Sequence, residues 1–161
     1  MPGEMIFYGD DKRRFLYRAA GVAVMDGRVL VQQFEDETFW CLPGGRVEMG
    51  EPAEEALLRE MREELGCEAT IKRLLWVIDN HFVHQNRIHH ELGLYFAIEL
   101  PEGCAQASGE PWTGEELDGT KLYFRWHPVE RLGELDLKPV CLVERLRELP
   151  DHPVYVMHRD G

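Results

Sequence analysis

Glu60, Glu63 and Glu64 fall within about one turn of a stretch, Ala53 to Leu65, that is rich in helix-forming residues. At about 100° per residue, their i, i+3, i+4 spacing lays them along one stripe of a helix. Leu57, Leu58, Met61 and Leu65 occupy an apolar face about a third of a turn away, so the helix can dock on a sheet while aiming three carboxylates at one place. Clustered like charges destabilise an isolated helix by a few tenths of a kcal/mol per pair. Arg59 and Arg62 are too few to offset Glu54, Glu55, Glu60, Glu63, Glu64 and Glu68. A hard divalent cation, Mg2+ or Mn2+, prefers oxygen ligands and is typically held by a few carboxylates together with water and substrate phosphate. The competing reading is a solvated acidic face laced with arginine pairs. Pro43-Gly44-Gly45 and the turn ending in Gly50-Glu51 favour the cation, because such glycines let backbone approach a ligand and offer carbonyls to it.

The rest of the chain must position this helix. Tyr17 to Met25 is apolar and strand-like, and Asp26-Gly27 supplies a hairpin turn into Arg28 to Phe34. Phe39 to Leu42 reads as a short strand ended by Pro43-Gly44-Gly45. Pro52 suits the first turn of the helix and Gly66 its C-terminal cap. Thr70 to Val83 and Ile88 to Leu100 form a long predicted hairpin around His84 to Arg87. The Gly- and Pro-rich stretch Pro101 to Gly119 reads as a loop and Thr120 to His127 as a strand. Pro139 to Leu149 reads as a second helix, with Leu142, Leu146 and Leu149 at i, i+4, i+7. Strands with two helices predict an α+β fold or an α/β/α sandwich. A single domain over residues 1–161 is expected, with its core at about 18–149, a short N-terminal arm and a C-terminal tail. The tail's Val154-Tyr155-Val156 run would add either an edge strand or a homodimer contact.

Composition bounds the function. A chain of 161 residues with 44% hydrophobic and 30% charged residues reads as globular, and no apolar run approaches the roughly 20 residues of a membrane span. The net charge of −12 opposes stable nucleic-acid binding and requires local basic groups or a bridging cation before a polyphosphate can dock. The four cysteines, Cys41, Cys67, Cys104 and Cys141, are widely spread without a CxxC pair, so disulfides and structural zinc are not expected and a reducing cytoplasm is the default.

The stretch Gly45 to Cys67, GRVEMGEPAEEALLREMREELGC, resembles the Nudix box, G-x5-E-x7-R-E-U-x-E-E-x-G-U, where U is a bulky apolar residue. Gly45, Glu51, Arg59, Glu60, Met61, Glu63, Glu64 and Gly66 match one by one, and Cys67 stands at the last U position. The resemblance implies the Nudix α/β/α sandwich, with a mixed sheet between helices. It implies divalent-metal-dependent hydrolysis of a pyrophosphate bond in a nucleoside diphosphate linked to another moiety. By the same resemblance Glu60, Glu63 and Glu64 would bind Mg2+ or Mn2+, the Gly44 carbonyl would be a further ligand, and Glu60 and Glu64 would be the catalytic residues, with Glu60 or a loop glutamate as base. Glu51 and Arg59 would pair to hold the loop against the helix. Glu115 and Glu116 in the long loop, and Glu91, are weaker candidates for an additional ligand or base.

His81, His84, His89 and His90 cluster around the hairpin and invite a zinc site, but strand alternation leaves their faces open, and surface or substrate-lining histidines are the favoured reading. Lys12, Arg13, Arg14 and Arg18 form a basic run read as a solvated arm. Phe39 and Trp40 are read as core packing rather than base stacking. Three functions compete: a pyrophosphohydrolase on a small nucleotide, a noncatalytic Nudix-fold nucleotide-binding sensor, and an isomerase on the same fold. The intact REMREE run opposes the last two.

Overall fold

The computed structural model describes residues 3–104 and 110–160 of the chain. Among these, strands β1 (Phe7–Gly9), β2 (Arg13–Val22), β6 (Thr70–His84), β7 (Arg87–Glu99) and β10 (Val154–Arg159) form one sheet in the order β1-β2-β7-β6-β10. Strand β5 (Gly44–Arg46) pairs with β2 off that path. A second sheet runs β3 (Val24–Met25), β4 (Arg28–Phe34), β9 (Lys121–Pro128) and β8 (Trp112–Glu115) in the order β3-β4-β9-β8. The larger sheet is mixed: β2 lies parallel to β7 and β10 parallel to β6, while β6 and β7 form the antiparallel hairpin.

The two tight hairpin turns follow from residues that tolerate the left-handed region. Asp26 and Gly27 have φ of 54° and 74°, and Gln85 and Asn86 have φ of 50° and 60°. Positive φ at both central residues is the type I′ signature that matches strand twist. Helix α1 (Ala53–Leu65) begins after Pro52 and ends at Gly66, whose φ of 71° closes the last turn through its N–H to the Arg62 carbonyl.

Two cores flank the larger sheet. Leu57 and Met61 of α1 pack with Ala19, Val47, Phe96 and Ile98 on one side. Ala20, Val31, Trp76 and Ile78 pack with Leu132, Leu142 and Leu146 on the other, under a 3-10 turn (Val129–Glu134) and the short helix α2 (Leu142–Arg145). Helical elements on both sides of the mixed sheet make the α/β/α sandwich. Fully burying a side chain such as Leu57 or Met61 contributes about 1.5–3 kcal/mol.

Several local expectations change. The stretch Tyr17 to Met25 is two strands in two sheets, because the chain crosses between them at Ala23, whose carbonyl accepts the Leu30 N–H at 3.0 Å. Phe39 to Leu42 makes only isolated bridges, at Trp40–Leu137 and Gln32–Cys41, while Gly44–Arg46 is the strand. Within the expected loop Pro101 to Gly119, Trp112–Glu115 pairs antiparallel with β9; residues 105–109 of that stretch lie outside the described residues. The second helix is confined to Leu142–Arg145. The tail forms β10 at a sheet edge, and the N-terminal segment contributes β1. Cys67 and Cys104 are joined in a disulfide with Cα atoms 5.8 Å apart, against the expectation of unpaired thiols. They are 37 residues apart in sequence and meet only because α1 and β7 end close together, so the cysteines give no ground for a reducing compartment. No described helix is long and apolar enough to cross a membrane.

Candidate metal-binding active site

Helix α1 buries Ala53, Ala56, Leu57, Glu60, Met61 and Glu64. Glu60 and Glu64 are therefore on its inward face beside the apolar residues, 8% and 6% exposed. Glu63, a quarter turn away, is partly exposed and lies 3.3 Å from Arg59. The third carboxylate that converges with Glu60 and Glu64 is Glu116, which follows β8. One oxygen from each of the three lies within 4.8 Å of the others. Glu115 instead is exposed, opposite Lys121 in the β8–β9 ladder.

Glycine makes this approach possible. A Cβ at Gly45 would collide with the Glu60 carboxylate itself. At Gly44, with φ of 153°, a Cβ would strike the Ala19 carbonyl and Ala20 on the neighbouring strand. The loop between β5 and α1 is held by Arg59. Its Nε and Nη2 donate to the two oxygens of Glu51 at 2.8 and 3.1 Å, a bidentate fork. Its Nη1 donates to Glu60 Oε1 at 3.0 Å and its Nη2 to the Arg46 carbonyl at 3.2 Å.

The electrostatics are those of carboxylates gathered away from water. Neither oxygen of Glu64 has a hydrogen-bond partner, although both are buried. Burial, reinforced by the charge of Glu60, pushes the Glu64 carboxyl well above the usual range. Burial raises the Glu60 carboxyl as well, against the charge and the hydrogen bond of Arg59. Burial and then the charges of Glu60 and Asp118 push Glu116 up to about 7. An oxygen-only donor set with an orphaned buried carboxylate fits a hard divalent cation, which would supply the missing positive charge.

Glu60 and Glu116 open onto a cavity of about 720 Å³. Gly44, Gly45, Arg18, Arg46 and Glu91 also line it. Glu91, paired across the strands with Asn80, has its carboxyl raised by burial against the pull of Arg18 and Arg46. Arg18, whose Nη2 donates to the Leu42 carbonyl at 2.5 Å, interacts with the charges of both Glu91 and Glu64. The reading of Arg18 as part of a solvated arm is thus corrected. Alternation along β2 turns Leu16 and Arg18 toward the cavity, a signal available only once the strand's start at Arg13 is known. Phe39 also lines the cavity, edge-on to His84 at 5.7 Å, whereas Trp40 packs into the core with Arg125 over its ring. Phe82, stacked on His89 at 4.9 Å, supplies a second aromatic wall. The hairpin histidines divide: His84 and His89 line the cavity, and His81 and His90 gather around Asp79 instead.

The chain is similar to known proteins throughout this region. An ADP-ribose pyrophosphatase of Methanocaldococcus jannaschii is 31% identical over 121 residues, covering 70% of each chain. An 8-oxo-dGTP diphosphatase of Proteus vulgaris is 33% identical over 79 residues, covering 49% of this chain and 68% of that one. The chain spans about half or less of the length of two other curated relatives, 52% of one from Bacillus subtilis and 39% of one from Mycobacterium tuberculosis. Among solved structures, the MutT protein of Bacillus halodurans shares the fold at a TM-score of 0.60 with 20% identity, covering 89% of each chain. The NUDIX domain matches residues 16–147, which take in every buried residue of the two cores except Val156, the glycine-bearing strand β5 and every carboxylate of the converging group. With that match and the shared fold, the chain belongs to the NUDIX family.

Proposed function

We propose that this protein hydrolyses a pyrophosphate bond in a nucleotide derivative, with a divalent cation, Mg2+ or Mn2+, held by the glutamates at the end of α1. The observation that carries the reading is the convergence of Glu60, Glu64 and Glu116 beside the cavity, with both oxygens of Glu64 buried and partnerless. Glu60, Glu64 and Glu116 would hold the cation, with Glu63 at the rim and the Gly44 carbonyl as a further candidate ligand. When bound, the cation offsets charge on the phosphates and acidifies water in its shell. The chain's own residues do the rest. Arg59, pinned to Glu51, sets the rotamer of Glu60 and keeps the loop against the helix. Arg18 and Arg46 supply positive charge in a protein of net charge −12, where a polyphosphate would otherwise be repelled. Glu60 and Glu116, the two carboxylates that both converge and open onto the cavity, are the proposed groups to take a proton from an attacking water. Phe39 and Phe82 offer faces on which a base can stack.

A cavity of about 720 Å³ is of the size of small-ligand sites, and ADP-ribose, the substrate named for the relative from Methanocaldococcus jannaschii, heads the panel to be assayed. The test is product release from ADP-ribose, nucleoside triphosphates, 8-oxo-dGTP and nucleotide sugars, with and without EDTA, resolving both products by mass. At least one member is expected to turn over only with metal, and Glu64→Gln to lower kcat by about 10²–10⁴-fold while the far-ultraviolet ellipticity is unchanged. Tight nucleotide binding without turnover on any member would identify a sensor instead. Full metal-dependent activity in Glu64→Gln would overturn the site assignment.

A further inference from the structure

Asp79, His81 and His90 lie on the opposite face of the sheet from the nucleotide cavity. Asn80 and Glu91, a register pair, line the cavity. Successive strand residues point to opposite faces, so the positions flanking that pair turn away. There His81, in register with His90, and Asp79, two residues before His81 on β6, come together. The Nε2 atoms of His81 and His90 lie 2.9 and 2.7 Å from the same oxygen, Oδ1 of Asp79. The two imidazole rings are stacked with centroids 4.2 Å apart and planes 24° apart. From β10, the Tyr155 hydroxyl donates to the other carboxylate oxygen, Oδ2, at 3.0 Å. Phe15 of β2 packs edge-on against His90 at 5.2 Å.

We infer that Asp79, His81 and His90 form a second metal site, for a borderline transition-metal dication with Zn2+ as the leading candidate. Two imidazole nitrogens and one carboxylate oxygen are the donor set such ions take, and they differ in kind from the oxygen-only cluster at Glu60, Glu64 and Glu116. All three donors sit on paired, in-register strands, so the backbone holds them together without a flexible loop. Tyr155 fixes the carboxylate by its far oxygen, the role of an outer-shell partner, which leaves Oδ1 aimed at the two nitrogens. The side chains are 24%, 29% and 44% exposed for Asp79, His81 and His90, so the remaining coordination position faces water. An ion there would tie β6, β7 and, through Tyr155, β10.

The test uses the full chain, stripped of metal with chelator, dialysed, and titrated with ZnCl2 against a chromophoric chelator in excess Mg2+. Wild type is expected to bind one more equivalent of Zn2+ than the His81→Asn/His90→Asn double variant, and Tyr155→Phe to hold that equivalent roughly 10-fold more weakly. Independently of any variant, zinc-edge X-ray absorption on wild type loaded with one equivalent should show imidazole nitrogen at about 2.0–2.1 Å. Equal Zn2+ stoichiometry in wild type and a double variant of unchanged ellipticity, or an oxygen-only shell in the absorption spectrum, would refute the site. In that case the two histidines merely donate hydrogen bonds to Asp79.

Discussion

At the residue scale, adjacent glycines perform different tasks. Gly44 is needed because a side chain there would press into backbone of β2, which cannot yield, whereas Gly45 is needed because the space belongs to the Glu60 carboxylate. Gly44→Ala is therefore expected to cost roughly 1–3 kcal/mol or more in urea unfolding, as overpacking against backbone does. Gly45→Ala should leave the unfolding midpoint nearly unchanged, since a side-chain terminus can rotate aside. Its kcat should nevertheless fall about 100-fold, because a displacement of about 1 Å in a reacting group is enough for that. A Gly45→Ala variant with wild-type kcat would show that the observed Glu60 position is not the working one. The glycines themselves were legible in the sequence as points of close approach. Which neighbour each one accommodates was not, since Glu60 and Ala19 reach them from elsewhere in the fold.

At the scale of elements, α1 is fastened to its preceding loop by one guanidinium shared among carboxylates. Arg59 holds Glu51 by two bonds and touches Glu60, Glu63 and Glu48 as well. The fork keeps Glu51 in its charged form, with its carboxyl held below the usual value by the hydrogen bonds from Arg59. A double-mutant cycle on Glu51→Gln and Arg59→Ala should give a coupling of about 1–2 kcal/mol, within the range measured for contacting groups. Arg59→Lys, which keeps charge but not the fork, should recover less than half of it. A coupling near zero would mean that the loop is held by β5 alone. The helix was legible from its periodicity and caps. Glu116 was harder to assign, because the strand before it is short, follows a Gly- and Pro-rich stretch and is defined only by pairing with β9.

At the scale of the molecule, buried acids couple folding to pH and, on the proposed function, to metal. Glu116 has its carboxyl raised from 4.5 to about 7, and Glu64 is raised as well. Between those values the folded state binds more protons than the unfolded state, so unfolding free energy falls as pH rises. The metal-free protein is thus expected to lose stability from about pH 4.5 to 7. The lowered carboxyls of Glu51 and Asp118 act with the opposite sign, but only as pH drops below their ordinary values. Added Mg2+ should reverse the loss: at 100 times Kd a ligand adds about 2.7 kcal/mol, and for a domain of this size each kcal/mol is worth about 2–4 °C in Tm. Thermal melts at pH 5 and 8, with and without Mg2+, check this, and Glu116→Gln should flatten the pH slope. A Tm that rises with pH in EDTA would contradict the buried-acid account.

The sequence by itself determined the helix, its glutamate spacing, the glycines before it, the hairpin turn at Asp26-Gly27 and the long hairpin around His84 to Arg87. All of these rest on interactions within a few residues: periodicity, left-handed φ at chosen positions, and the strand preference of branched and aromatic side chains. Tertiary structure alone decided which carboxylates meet, that Arg18 turns toward the cavity, that the hairpin histidines divide between two faces, and that Cys67 meets Cys104. Each of these depends on strand register or on segments joined across the sheets. Shifting register by one residue moves every side chain to the other face, so such juxtapositions are fixed by packing of the whole chain.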